Sequence, residues 1–246
     1  MSKKTLAAPI AFAEAWHSDA ALNTLNIWLD ERTAQDRLAW ALGHAPGRAM
    51  MSSSFGAQSA APLHLVTRIA PELPVVLVDT GYLFAETYRF VDALQQRLQL
   101  NLQIAQPEDS AARFEARHGA LWEQGVEGIE RYNQWRKVLP MQDALNRLGA
   151  GLWIAGLRRS QSEGRAQRQV LERHGTRWKL HPLVDWTDRD VGRYLAEHSL
   201  PYHPLWEQGY VSIGDVHTTR PLSADVSAQE TRFFGLKREC GLHESV

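Results

Sequence analysis

The chain has 246 residues, 44% of them apolar and 22% charged, with 27 basic against 28 acidic side chains and a single cysteine. That balance fits one globular core with a small appendage and argues against a surface that coats DNA or RNA. One thiol cannot build a disulfide framework or supply the several thiolates of a metal cluster; no apolar run approaches the ~20 residues of a membrane span, and residues 1–12 lack the apolar stretch of a secretory signal. The expectation is a cytoplasmic protein with no resident metal or cofactor.

In chain order, residues 1–44 read as a helical segment of two helices. Leu22, Leu25 and Leu29 recur at helical spacing, and Thr33 with Asp36 forms a capping pattern for a helix ending near Gly43. Residues 45–215 then alternate. A strand at Arg48–Ser52, a polar loop at 53–56 and a helix over 57–69 are followed by a strand over 75–79, a helix over 86–100 and a strand over 102–105. A helical stretch fills 110–148. Strands at 152–155 and around 178–184 enclose a basic loop, and Thr187 with Asp190 starts a helix reaching about His198. Such alternation specifies an α/β fold, a twisted parallel sheet flanked by helices. After Leu200 the periodicity fades, and residues 216–246 read as a mobile C-terminal arm. The pentapeptide Leu-Trp-Glu-Gln-Gly occurs at 121–125 and again at 205–209 with unlike flanks, a recurring turn and not a repeat.

Four places could carry chemistry. Ser52, Ser53, Ser54, Phe55, Gly56 and Ser59 lie between a strand and a helix, where small residues and a helix N-terminus accommodate an anion. Gly156-Leu157-Arg158-Arg159 follows an apolar strand, and two guanidiniums there suit forked contacts to phosphate or sulfate. His217, Thr218, Thr219 and Arg220 group an imidazole, hydroxyls and a cation. A solvated loop is the competing reading for each. Cys240 follows Arg232, Lys237 and Arg238 and precedes His243; cations favour its thiolate, against the alternative of a small buried hydrophobe.

Taken together, Ser-Ser-Ser-Phe-Gly at 52–56, the Asp79-Thr80-Gly81-Tyr82 segment running on to Tyr88, Gly156–Arg159, His217–Arg220 and the Lys-Arg-Glu-Cys-Gly-Leu-His tail resemble the phosphoadenylyl-sulfate (PAPS) reductases. The likeness spans about residues 35–244. It implies an adenine-nucleotide α-hydrolase-like fold, shared with the PP-loop ATP pyrophosphatases, and reduction of 3′-phosphoadenylyl sulfate to sulfite and adenosine 3′,5′-bisphosphate in assimilatory sulfate reduction. It further implies that the serine loop holds the phosphosulfate, that Asp79–Tyr82 border the adenosine, and that Lys137, Arg158, Arg159 and Arg220, with Arg232, Lys237 and Arg238, meet anionic oxygens. Cys240 would be the nucleophile, thioredoxin or glutaredoxin the reductant, and the assembly a homodimer. The related pyrophosphatases carry an Asp where this chain has Gln58, so no Mg-dependent ATP cleavage is expected. Adenylyl-sulfate (APS) reductases with a four-iron cluster place cysteines within 132–135 and at 215 and 218, where this chain has none. A cluster-free adenylyl-sulfate reductase and a pyrophosphatase relative are the alternatives.

Overall fold

The computed structural model describes residues 8–225, 230–237 and 241–242. Six strands, β1 (Arg48–Ser52), β2 (Pro74–Val78), β3 (Asn101–Ala105), β4 (Ala150–Ala155), β5 (Leu171–His174) and β6 (Arg177–Leu180), form one sheet in the order β3-β2-β1-β4-β6-β5. All neighbours pair in parallel except β5 and β6, an antiparallel hairpin at the edge. The α/β expectation holds, with one addition: β5 had read as part of the basic loop. Its turn is made by Gly175, whose φ of 58° lies in the left-handed region that favours glycine.

Apolar side chains alternate across the central strands, as a sheet covered on both faces requires. Met51, Val75, Leu77, Leu152 and Ile154 join a large core with the helices on one side, while Met50, Val76, Val78 and Trp153 meet Met141, Ala144 and Leu145 on the other. The first face is covered by α1 (Phe12–His17), α2 (Asp19–Asp30), α3 (Ala34–His44), α4 (Ala60–Ile69), α5 (Ala85–Leu98) and α9 (Asp188–Glu197). Three helices therefore replace the two expected before residue 45, because Ser18 ends α1 and caps α2, its Oγ accepting from the Ala21 N–H at 3.2 Å.

Arg37 ties this N-terminal layer down. Fully buried, it donates to the carbonyls of Leu29, Asp30 and Pro182 and makes a two-pronged pair with Asp185 at 2.7 and 2.8 Å. Every guanidinium nitrogen has an acceptor, which is what allows the charge to be buried.

The expected helix over 110–148 is α6 (Ala111–His118), α7 (Gly125–Asn133) and α8 (Leu139–Arg147), broken by Gly119 and Gly125 at φ of 67° and 69°. Between α7 and α8 the chain does not return to a loop; Gln134–Val138 forms a π-helical turn. The two Leu-Trp-Glu-Gln-Gly segments both contribute 3-10 turns, at Leu121–Glu123 and Pro204–Gln208. No helix among the described residues is long and apolar enough to cross a membrane.

Candidate active site

From β1 the chain proceeds to β2 and β3 on one side, whereas β4 and β6 lie on the other. The C-terminal ends of β1 and β4 therefore diverge and leave a crevice, the position where open α/β sheets bind nucleotides. A cleft of about 510 Å³ opens there, a size suited to a small organic ligand.

The first wall is the serine loop. Ser52 Oγ accepts from Trp153 Nε1 on the neighbouring strand at 2.7 Å, and Ser53 N–H donates to Val76 O at 3.0 Å. Phe55 then turns inward with φ 49°, fully buried, its N–H donating to Ser53 Oγ at 3.1 Å. That positive φ in a bulky residue stores strain that the buried ring holds in place. Ser59, directly before α4, lines the cleft with a buried Oγ that has no protein partner. Opposite, β4 delivers Arg158, whose buried guanidinium reaches Asp188 at 2.9 Å and the Gln58 side-chain oxygen.

The second wall comes from the π-helical turn. An extra residue in one turn brings the adjacent cations Arg136 and Lys137 both inward. Arg136 donates to the carbonyls of Thr80 and Asp109. Lys137 Nζ lies 2.7 Å from Asp215 Oδ2, and Thr80 Oγ1 donates to Asp215 Oδ1 at 2.5 Å. Burial alone would raise the Asp215 carboxyl, but the Lys137 ammonium and the hydrogen bonds from Lys137 and Thr80 outweigh it and bring the group down to about 2.

The third wall is 211–215 with Arg232. Arg232 Nη1 reaches Ser212 Oγ at 3.3 Å, while its Nε is buried without a partner. The guanidinium fits because residue 214 is glycine: a Cβ there would sit 2.3 Å from Arg232 Nη2. The described end of the arm closes this side, Leu242 lining the cleft. Three buried or part-buried cations, serine hydroxyls and a helix N-terminus thus face one cavity, an arrangement for a multiply charged anion.

The model of the phosphoadenosine phosphosulfate reductase domain matches residues 48–221, which contain the serine loop, Lys137, Arg158 and Asp215. The chain belongs to the phosphoadenosine phosphosulfate reductase family. The reductase of Alkalilimnicola ehrlichii is 64% identical over 225 residues, 92% of this chain and 92% of its own length. That of Xylella fastidiosa (strain M12) is 59% identical over 92% of this chain and 95% of its own. The crystal structure of the phosphoadenylyl-sulfate reductase from Candida auris, a phosphate complex, is similar with a TM-score of 0.72 and 30% identity, covering 82% of this chain and 98% of that one. An FMN adenylyltransferase from Candida glabrata, 15% identical with a TM-score of 0.56 over 79% of this chain and 68% of that one, shares the fold.

Of the residues singled out in this reductase sequence, Ser52, Ser53, Ser54, Gly56, Ser59, Thr80, Lys137, Arg158 and Arg232 line the cleft. Phe55 supports the loop from within the core. Asp79 shapes the next turn, accepting from Gly81 N–H, Tyr88 OH and Gln106 Nε2 at 2.9, 2.7 and 3.0 Å. Tyr82 and His217 meet Trp122 and Tyr132 in an aromatic cluster, with the His217 ring 3.7 Å from Trp122. Thr218 is buried, and Thr219 bridges to Arg232 through the backbone. Arg159 faces away from the cleft to Asp30 and the Arg168 carbonyl, Arg220 donates to the Glu230 carbonyl, and Lys237 reaches Glu130 at 3.5 Å. Arg238, Cys240 and His243 lie outside the described residues. Sequence reading passed over Asp188 and the role of Gln58, both acceptors for Arg158, and Asp215 as the partner of Lys137.

Burial also sets the acid response. It lowers His174, His203 and His217 to about 4, Lys179 adding to the effect at His174 and Lys137 at His217, while Asp215 opposes it at His217. Histidines whose folded values are depressed are protonated first in the unfolded chain, so their stabilisation is complete above 6.5 and is lost as pH falls toward 4. The thermal midpoint should decline across that interval, and His203→Gln, which keeps a donor toward Thr87, should flatten the decline. A midpoint independent of pH there would contradict the assignment.

Proposed function

We propose that this chain reduces 3′-phosphoadenylyl sulfate to sulfite and adenosine 3′,5′-bisphosphate, with Cys240 as nucleophile and thioredoxin or glutaredoxin as reductant. The observation that carries the reading is that Leu242, two residues beyond Cys240, lines the same cleft as the serine loop, Lys137, Arg158 and Arg232. The thiolate attacks the sulfate sulfur, an S–S bond forms, and the bond from sulfur to the bridging phosphate oxygen breaks. The nucleotide leaves with the electron pair on that oxygen. Lys137, Arg158 and Arg232 stabilise the charge that develops there, and the serine loop and the first turn of α4 orient the sulfonate oxygens.

Cys240 is then an S-sulfonate and the chain has no second thiol to resolve it. One thiolate of the external dithiol attacks the Cys240 sulfur and sulfite departs. The second thiol of the carrier displaces Cys240 from the mixed disulfide, so the carrier supplies both electrons. Residues 1–44 act as a helical layer, 45–215 as the nucleotide-binding unit, and 216–246 as an arm that closes on substrate and opens to the carrier. We assign the reaction to the cytoplasm, where dithiol carriers are kept reduced, and the assembly to a homodimer.

Intact-mass measurement after mixing with the sulfonucleotide and no reductant tests the first half. The expected result is a gain of one SO₃ on Cys240, released as sulfite when reduced thioredoxin is added, and faster with the 3′-phosphate than without it. Nucleotide binding with no mass gain would count against the reading, and equal rates with both nucleotides would favour an adenylyl-sulfate reductase.

A further inference from the structure

On one face of β4 and β6, Trp153 and Lys179 are register partners on adjacent parallel strands, so their side chains project side by side. Both are buried, at 2% and 1% exposure. The Lys179 ammonium lies 3.8 Å from the centre of the Trp153 ring and donates to the Leu242 carbonyl at 3.3 Å. Leu242 itself packs beside Leu148 on the apolar patch that contains Trp153, and the position a side chain would take at Gly241 is 3.4 Å from Val138.

A buried ammonium in a strand is costly, and a methionine would fill the same space against the indole. What the ammonium adds is a donor directed at the arm. We propose that Lys179, backed by Trp153, is a positioning residue for Cys240: it seats the Leu242 carbonyl and so fixes where the thiolate two residues earlier enters the cleft. The inference rests on Cys240 being the nucleophile. Trp153 connects this seat to the substrate side, because its Nε1–H is held by Ser52 Oγ at 2.7 Å. One indole therefore contacts both the cation that grips the arm and the loop that faces the ligand, and a shift of either is felt by the other.

The test compares the unaltered chain with Lys179→Met and Lys179→Arg. Lys179→Met should slow SO₃ transfer to Cys240 in a single turnover by about 10- to 100-fold, the scale set by misplacing a reacting group. Affinity for adenosine 3′,5′-bisphosphate should stay unchanged, tryptic cleavage after Lys237 and Arg238 should accelerate, and Lys179→Arg should recover part of both effects. Unchanged transfer together with unchanged cleavage would overturn the proposal. If the unaltered chain gains no SO₃, the assigned reaction fails, while the cleavage comparison still reads the seat. In case Lys179→Met does not fold, a chain ending at Cys240 leaves the sheet intact; its Lys179 should become reactive to amine acylation, and equal protection with and without residues 241–246 would refute the contact.

Discussion

Cys240→Ser should bind adenosine 3′,5′-bisphosphate as the unaltered chain does and yet form sulfite at least about 10⁴-fold more slowly, the scale of losing a nucleophile outright. The reason is more than the weaker nucleophilicity of a hydroxyl. Even if the serine oxygen captured the sulfonate, the product would be a sulfate ester with no S–S bond, and a dithiol attacking it would have no sulfur at which to accept and release sulfite. Intact mass and sulfite formation, measured on the same sample, separate the two steps. Sulfite formed at an undiminished rate would remove Cys240 from the reaction.

Lys137→Met should produce the second-largest effect, in two ways that can be pulled apart. Asp215 is only 1% exposed and would keep Thr80 but lose its ammonium. An uncompensated buried carboxylate costs about 3 kcal/mol of stability. Loss of one preorganised cation facing the leaving phosphate should lower the single-turnover rate by about 10²- to 10³-fold. The double variant Lys137→Met, Asp215→Asn removes the stranded charge, so denaturant titration should show recovered stability while transfer stays slow. Recovery of both would mean that Lys137 serves only to hold Asp215. The unaltered pair has its own pH signature. Because the Asp215 carboxyl is depressed from 3.8 to about 2, its contribution is present above 3.8 and disappears as pH falls through 2.

How much of this was visible beforehand depended on whether the signal was contiguous. β1, β2 and β4 are apolar runs with turn residues after them, and the serine loop and Arg158 follow β1 and β4 without a gap. Their place at strand ends was therefore legible. The strand β5 was not, because Leu171-Glu172-Arg173-His174 looks like charged loop until pairing with β6 buries it. Arg158 and Arg159 were indistinguishable as neighbours, yet Arg158 has extended backbone, φ −134° and ψ 143°, so successive side chains diverge and only Arg158 faces the cleft. Asp215 could not be matched to Lys137, nor Tyr82 to His217, since each pair is distant in the chain and meets only through the fold. The π-helical turn had no signature either: Gln134–Val138 contains good helix formers, and the extra residue follows from tertiary contacts on both sides of it.

That turn has an evolutionary corollary. Deleting any one residue between Gln134 and Val138 would restore regular winding, and would also rotate whatever follows by about 100° relative to what precedes. Either the ammonium of Lys137 or the Met141 and Leu145 face of α8 would then point the wrong way. Mutational drift through single-residue loss is thus closed to this stretch of the chain, whereas substitution at its exposed positions is not.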